Sequence, residues 1–125
     1  MRITVTGVDD AATVRFRCAA GAATGRWAGP APPVPGEHDV ELDVAEEVVF
    51  ARAEPGRDRV EDAPDGSGAV LVVGRVEQAG TGADAVVVLR VGGGLLLLEA
   101  CGAVPSAGDR VGFTAAELRL YPTGV

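Results

Sequence analysis

The sequence predicts an all-β, single-domain fold, a partly open barrel of about seven to eight short strands. Three observations predict it. Short alternating or continuous apolar runs recur along the 125 residues, glycine-rich bends separate them, and the segment 19–25, Ala-Ala-Gly-Ala-Ala-Thr-Gly, carries too much glycine for a helix. Residues 1–125 are the size of one domain, long enough to bury about two thirds of the unfolded surface around a single core. Hydrophobic residues make up 47% but aromatics only 4%, so Val, Leu and Ala must fill that core.

Taken in order, Ile3 and Val5 alternate with Thr4 and Thr6, and Val14-Arg15-Phe16-Arg17-Cys18 alternates again after the turn Gly7-Val8-Asp9-Asp10. The two segments read as a hairpin. Trp27 stands alone before Pro30-Ala31-Pro32-Pro33-Val34-Pro35-Gly36, an ordered surface crossing. A strand at 37–44 follows and is expected to continue through Val48-Val49-Phe50; the alternative is a short helix capped by Asp43 with Glu46 three residues on. Residues 54–68 mix Pro55, Gly56, Pro64, Gly66 and Gly68 with charges and read as a flexible loop. Val70 to Val76, Val86 to Val91 and Leu95 to Glu99 form a meander, bent at Gly80-Thr81-Gly82-Ala83-Asp84 and at Gly92-Gly93-Gly94. Strands at Arg110 to Phe113 and Leu118 to Tyr121 complete a set of five, and closure into a barrel would remove their exposed apolar edges. The first half is expected to add strands to that barrel.

Val73-Gly74-Arg75-Val76-Glu77, Val88-Leu89-Arg90-Val91-Gly92, Gly108-Asp109-Arg110-Val111 and Glu117-Leu118-Arg119-Leu120-Tyr121 together resemble the strand and turn rhythm of OB-like small barrels. They are similar also to small bacterial proteins of this length that end in a Leu-Tyr strand. The resemblance covers about half the chain and implies an OB-like barrel, with no functional residue carried over. OB folds that bind single strands pair basic residues with exposed aromatics, and this chain departs from that pattern.

Eighteen acidic residues against 11 basic ones give a formal charge of −7, which repels phosphate backbones and anionic lipid and favours basic partners. All 11 basic residues are arginine and Ile3 is the only isoleucine, a pattern of GC-rich coding rather than of function. Met1 to Gly7 turns polar before the apolar core of a signal peptide can form, and Glu99 ends the run Leu95 to Leu98 far short of the roughly 20 residues of a membrane span. The expectation is a cytoplasmic protein without membrane contact. Cys18 and Cys101 lack CxxC spacing and are expected as reduced, buried thiols; with only His38 to join them, no zinc site or other cofactor is expected.

His38 is the only histidine, and neither Ser67 nor Ser106 has a nucleophile-elbow context, so no catalysis is assigned. Gly21 to Gly25 and Gly80 to Gly82 lack the Gly-Lys-Ser/Thr of a phosphate cradle, and Asp58, Glu61, Asp62 and Asp65 lack EF-hand spacing. The distinctive feature is Glu37-His38-Asp39-Val40-Glu41-Leu42-Asp43-Val44. On a strand, Glu37, Asp39, Glu41 and Asp43 share one face while Val40, Leu42 and Val44 share the other. Carboxylates about 7 Å apart repel, so this face requires water, arginines or a cationic partner. Arg15 and Arg17 have the same spacing and would answer two of the four if their strand were adjacent. The functional expectation is a non-catalytic, acidic protein-interaction module of the immunity-inhibitor type. It would cover a basic protein through Glu37, Asp39, Glu41, Asp43 and Trp27, with Trp27 as core the competing assignment. The alternative is a barrel binding a small ligand or single-stranded nucleic acid through Arg75, Arg90 and Arg119. An uncovered edge at residues 37–44 would also permit a strand-mediated homodimer.

Overall fold

A computed structural model of the chain describes residues 1–9, 12–82 and 85–123. Asp10 of the first expected turn, and Ala83 and Asp84 of the later one, lie outside the described residues. The described residues form eleven strands and no helix. They are β1 (Arg2–Val8), β2 (Thr13–Cys18), β3 (Gly21–Trp27), β4 (Gly36–Asp43), β5 (Ala51–Arg52), β6 (Arg59–Asp62), β7 (Val70–Ala79), β8 (Val86–Val91), β9 (Gly94–Glu99), β10 (Arg110–Ala115) and β11 (Arg119–Pro122). The all-β class is as expected, with more strands than the seven to eight predicted. No helix among the described residues is long and apolar enough to cross a membrane.

Two sheets make up the fold. The first is a closed barrel in the order β1-β2-β3-β11-β4, sealed by β4 pairing with β1; the second has the order β5-β10-β7-β8-β9, with β6 also paired to β7. The expected roles of the two halves are thereby reversed: the closed ring takes four strands from the first 43 residues and only β11 from the end of the chain. The proline-rich crossing between β3 and β4 explains this. It carries β4 away from its sequence neighbour, and β11 fills the gap, parallel to β3 and antiparallel to β4.

Alternation sorts the side chains as the sequence requires. Ile3 and Val5, Val14 and Phe16, and Val40 and Leu42 point into the barrel, while Arg15, Arg17 and the carboxylates of β4 point out. In the second sheet Val72, Val76, Val87, Leu89, Leu96 and Leu98 are buried, and one apolar cluster runs from these residues through the barrel interior.

Several local expectations are corrected. Gly21 to Gly25 form most of β3, paired to β2 after a turn at Ala19 and Ala20, and Gly21 (φ +139°) approaches the second sheet so closely that an added Cβ would lie 2.6 Å from the Val60 carbonyl oxygen. Residues 54–68 are not a featureless loop: they contain β6, whose Val60 is fully buried and donates its N–H to the Ala20 carbonyl at 3.0 Å. Asp58 fixes the same segment, accepting from the Gly92 N–H at 2.8 Å and from Arg110 at 3.1 Å. Residues 44–50 neither extend β4 nor form a helix; Val48 instead makes a lone parallel bridge to Ala100.

Candidate functional site

The acidic ladder is placed as the strand parity requires. Glu37, Asp39 and Glu41 are exposed and Asp43 is half-buried, all on the outer face of β4. Their cationic neighbour is not the expected pair. β1 separates β4 from β2, so Arg15 and Arg17 stand one strand too far away, and Arg2 of β1 answers instead. Arg2 lies 3.6 Å from Glu37 and 2.9 Å from Asp39. Such exposed pairs contribute only about 0.2–1 kcal/mol each. Arg119 sits opposite Asp43 on β11 but directs its guanidinium to Glu117 at 3.0 Å. Glu41 and Asp43 therefore have no ion pair among the described residues.

Trp27 is core. It is 7% exposed, its Nε1–H donates to the Ala31 carbonyl at 3.0 Å, and its ring meets His38 edge-on at 5.3 Å between centroids. An anchor for a partner must be accessible, so Trp27 leaves the set of surface contacts; it tethers the proline-rich crossing instead. His38, whose Nε2 bonds the Val34 carbonyl at 2.7 Å, holds the other end of that crossing. Since a carbonyl can only accept, this bond places the proton on Nε2. The thiols also differ from expectation: both are free, but Cys18 is half-buried and Cys101 exposed, because β9 ends before Cys101.

The arginines of the alternative reading are not gathered into one groove. Arg75 and Arg90 face each other across β7 and β8, with Arg90 bound to Glu77, which lies in the β-bulge between Val76 and Gln78. Arg119 lies on the barrel, paired with Glu117.

The unpaired end of the ladder borders a groove between the barrel and the second sheet, about 910 Å³ in volume. Val40 to Asp43 and Tyr121 line it from the barrel, Gly93 to Leu97 from β9 and the turn before it, and Met1 and Arg90 also border it. Leu97 is 62% exposed, Leu95 46% and Tyr121 40%, an apolar strip beside two uncompensated carboxylates. Sequence reasoning missed this wall. Leu95 to Leu98 is a continuous apolar run with no alternation to mark an outer face, whereas in the structure Leu96 and Leu98 turn into the core and Leu95 and Leu97 face outward. No protein-family model, curated protein or solved structure matches the chain.

Proposed function

We propose that the protein is a non-catalytic, acidic interaction module acting in the cytoplasm, an immunity-type inhibitor that covers a basic protein. The observation that carries this reading is the position of Glu41 and Asp43, exposed or half-exposed without a counter-ion, at the lip of a groove whose far wall is Leu95 and Leu97. A basic surface with an apolar centre would satisfy both features, and the charge of −7 would steer its approach. We also read the closed five-stranded ring as OB-like, five being the strand number of that barrel. It departs from OB proteins that bind single strands, because this outer face is acidic and its one tryptophan is buried.

The test is affinity capture from native lysate at low salt, using the protein and its Glu41→Gln/Asp43→Asn variant. A strongly basic protein held by the first, weakened about three- to tenfold by the second and released as salt rises, is the expected result. A complex indifferent to both salt and the two substitutions would refute the reading.

A further inference from the structure

The proline-rich crossing between β3 and β4 takes its shape from its residues. In Ala31-Pro32-Pro33-Val34-Pro35 each residue either is a proline, whose ring fixes φ, or precedes one, whose ring bars the helical region. The backbone is thereby held near the polyproline II conformation, with three residues per turn. All its peptide bonds are trans, and the chain bends at Ala31 and again at Pro35 but runs straight between them. Its two anchors have the same period. The Ala31 carbonyl accepts from the Trp27 Nε1–H at 3.0 Å and the Val34 carbonyl from the His38 Nε2–H at 2.7 Å, so carbonyls three residues apart both meet side chains of the barrel. A rod with three residues per turn has three edges. Pro33, on one edge, is half-buried, while Ala31 with Val34 and Pro32 with Pro35 make up the other two; all four are exposed, Val34 by 71%.

We infer that this rod is a preformed ligand for an aromatic-lined groove on a partner protein. The exposed edges carry two pairs, Ala31-Pro32 and Val34-Pro35, one turn or about 9 Å apart. Each pair offers a flat pyrrolidine ring beside a small aliphatic side chain, a shape that fills a slot between aromatic rings. Such a groove meets two edges of the rod and leaves the third outside; the third edge here is that of Pro33, which the protein itself half covers. Pairing as a strand is closed to the segment, because its prolines have no N–H to donate. The Pro32 and Pro33 carbonyls accept no hydrogen bond among the described residues and are open to a tyrosine hydroxyl or indole N–H of the groove. Because the rod is stiff and tied down at Ala31 and Val34, docking orders little that was free. Beyond Pro35 the rim of the groove meets Glu37 and Asp39, which share Arg2 alone, so a basic rim fits better than an acidic one. This site is separate from Glu41 and Asp43 and does not depend on the docking proposed for them.

The probes are an isolated SH3 domain and an isolated WW domain, both with aromatic-walled grooves, each titrated into the isotope-labelled full chain and followed by NMR. Saturable shifts at the Ala31 and Val34 amides with at least one of them, at a dissociation constant below about 1 mM, are expected. Pro32→Ala and Pro35→Ala each remove a ring from an exposed edge and should weaken that binding about tenfold, whereas Pro33→Ala should change it less than about twofold. Unchanged Trp27 fluorescence in the free variants checks that the crossing is still anchored. Val34→Asp, at an exposed position, provides the same test as the outer prolines without altering the proline pattern, and should also weaken binding about tenfold. The Glu41→Gln/Asp43→Asn variant should bind the probes as the unmodified chain does, which separates this site from the acidic one. No saturable shift with either probe, shifts confined to other parts of the chain, or an equal loss for all three prolines would overturn the inference and leave salt-sensitive docking at Glu41 and Asp43 untouched.

Discussion

At the scale of single residues, the junction between the two sheets depends on a few polar atoms. Asp58 has a side chain 28% exposed, and its two oxygens serve the Gly92 N–H and Arg110, which also donates to the Glu54 and Arg57 carbonyls. Asp58→Ala removes the acceptor for both and should cost about 1–3 kcal/mol, measured by urea unfolding, with Asp58→Asn recovering part of the loss. Gly21→Ala should cost a similar amount, about 1–3 kcal/mol, because its left-handed φ and its approach to Val60 both reject a side chain. Asp65 is a contrasting case. The Ser67 side chain, then the Ser67 backbone N–H, hold its carboxyl below the usual carboxylate range. A lowered folded value means that the ionised form favours the native turn; this contribution is present above the unfolded pKa and is lost as pH falls through the folded one. Ser67→Ala should raise the Asp65 titration midpoint followed by NMR. None of these roles was legible beforehand: Asp58 and Asp65 belonged to one acidic run, and only folding gives one a half-buried arginine partner and the other a local turn.

At the scale of elements, hairpins were the most legible part of the chain. β8 and β9 are joined by Gly92 and Gly93, with φ of +51° and +89°, the two consecutive positive values that a tight hairpin of this hand requires. The edges were less legible. β4 looked like an exposed strand on the strength of its charges, but it pairs with β1 and β11, and the open edge belongs to β9. Charges on a strand describe its faces, not its lateral partners. Amide exchange in the free protein should therefore alternate along β9, slow at Leu96 and Leu98 and fast at Leu95 and Leu97. Within the segment expected as a loop, the Val60 amide should be slow, since it is buried and bonded to Ala20.

At the scale of the whole molecule, one core serves both sheets. Phe16 of the barrel and Leu89 of the second sheet belong to the same buried cluster. Phe16→Ala should lose about 3–5 kcal/mol and Leu89→Ala about 2–5 kcal/mol, each shifting one shared unfolding transition. Separate transitions for Trp27 fluorescence and for exchange in β7 and β8 would show that the sheets fold independently. The same continuity explains the groove, since β4 and β9 are brought together by the core beneath them and not by hydrogen bonds between them.

The sequence by itself determined the β class, the glycine bends of the second sheet and the common face of Glu37, Asp39, Glu41 and Asp43, because two-residue alternation and turn chemistry are local properties of the chain. Tertiary structure decided that β11 closes the barrel, that Arg2 rather than Arg15 and Arg17 meets the ladder, that Trp27 is buried, and that the free carboxylates stand beside the leucines of β9. Each of these depends on which strands become neighbours. That choice is made by the shared core over long separations in sequence, and no local pattern records it.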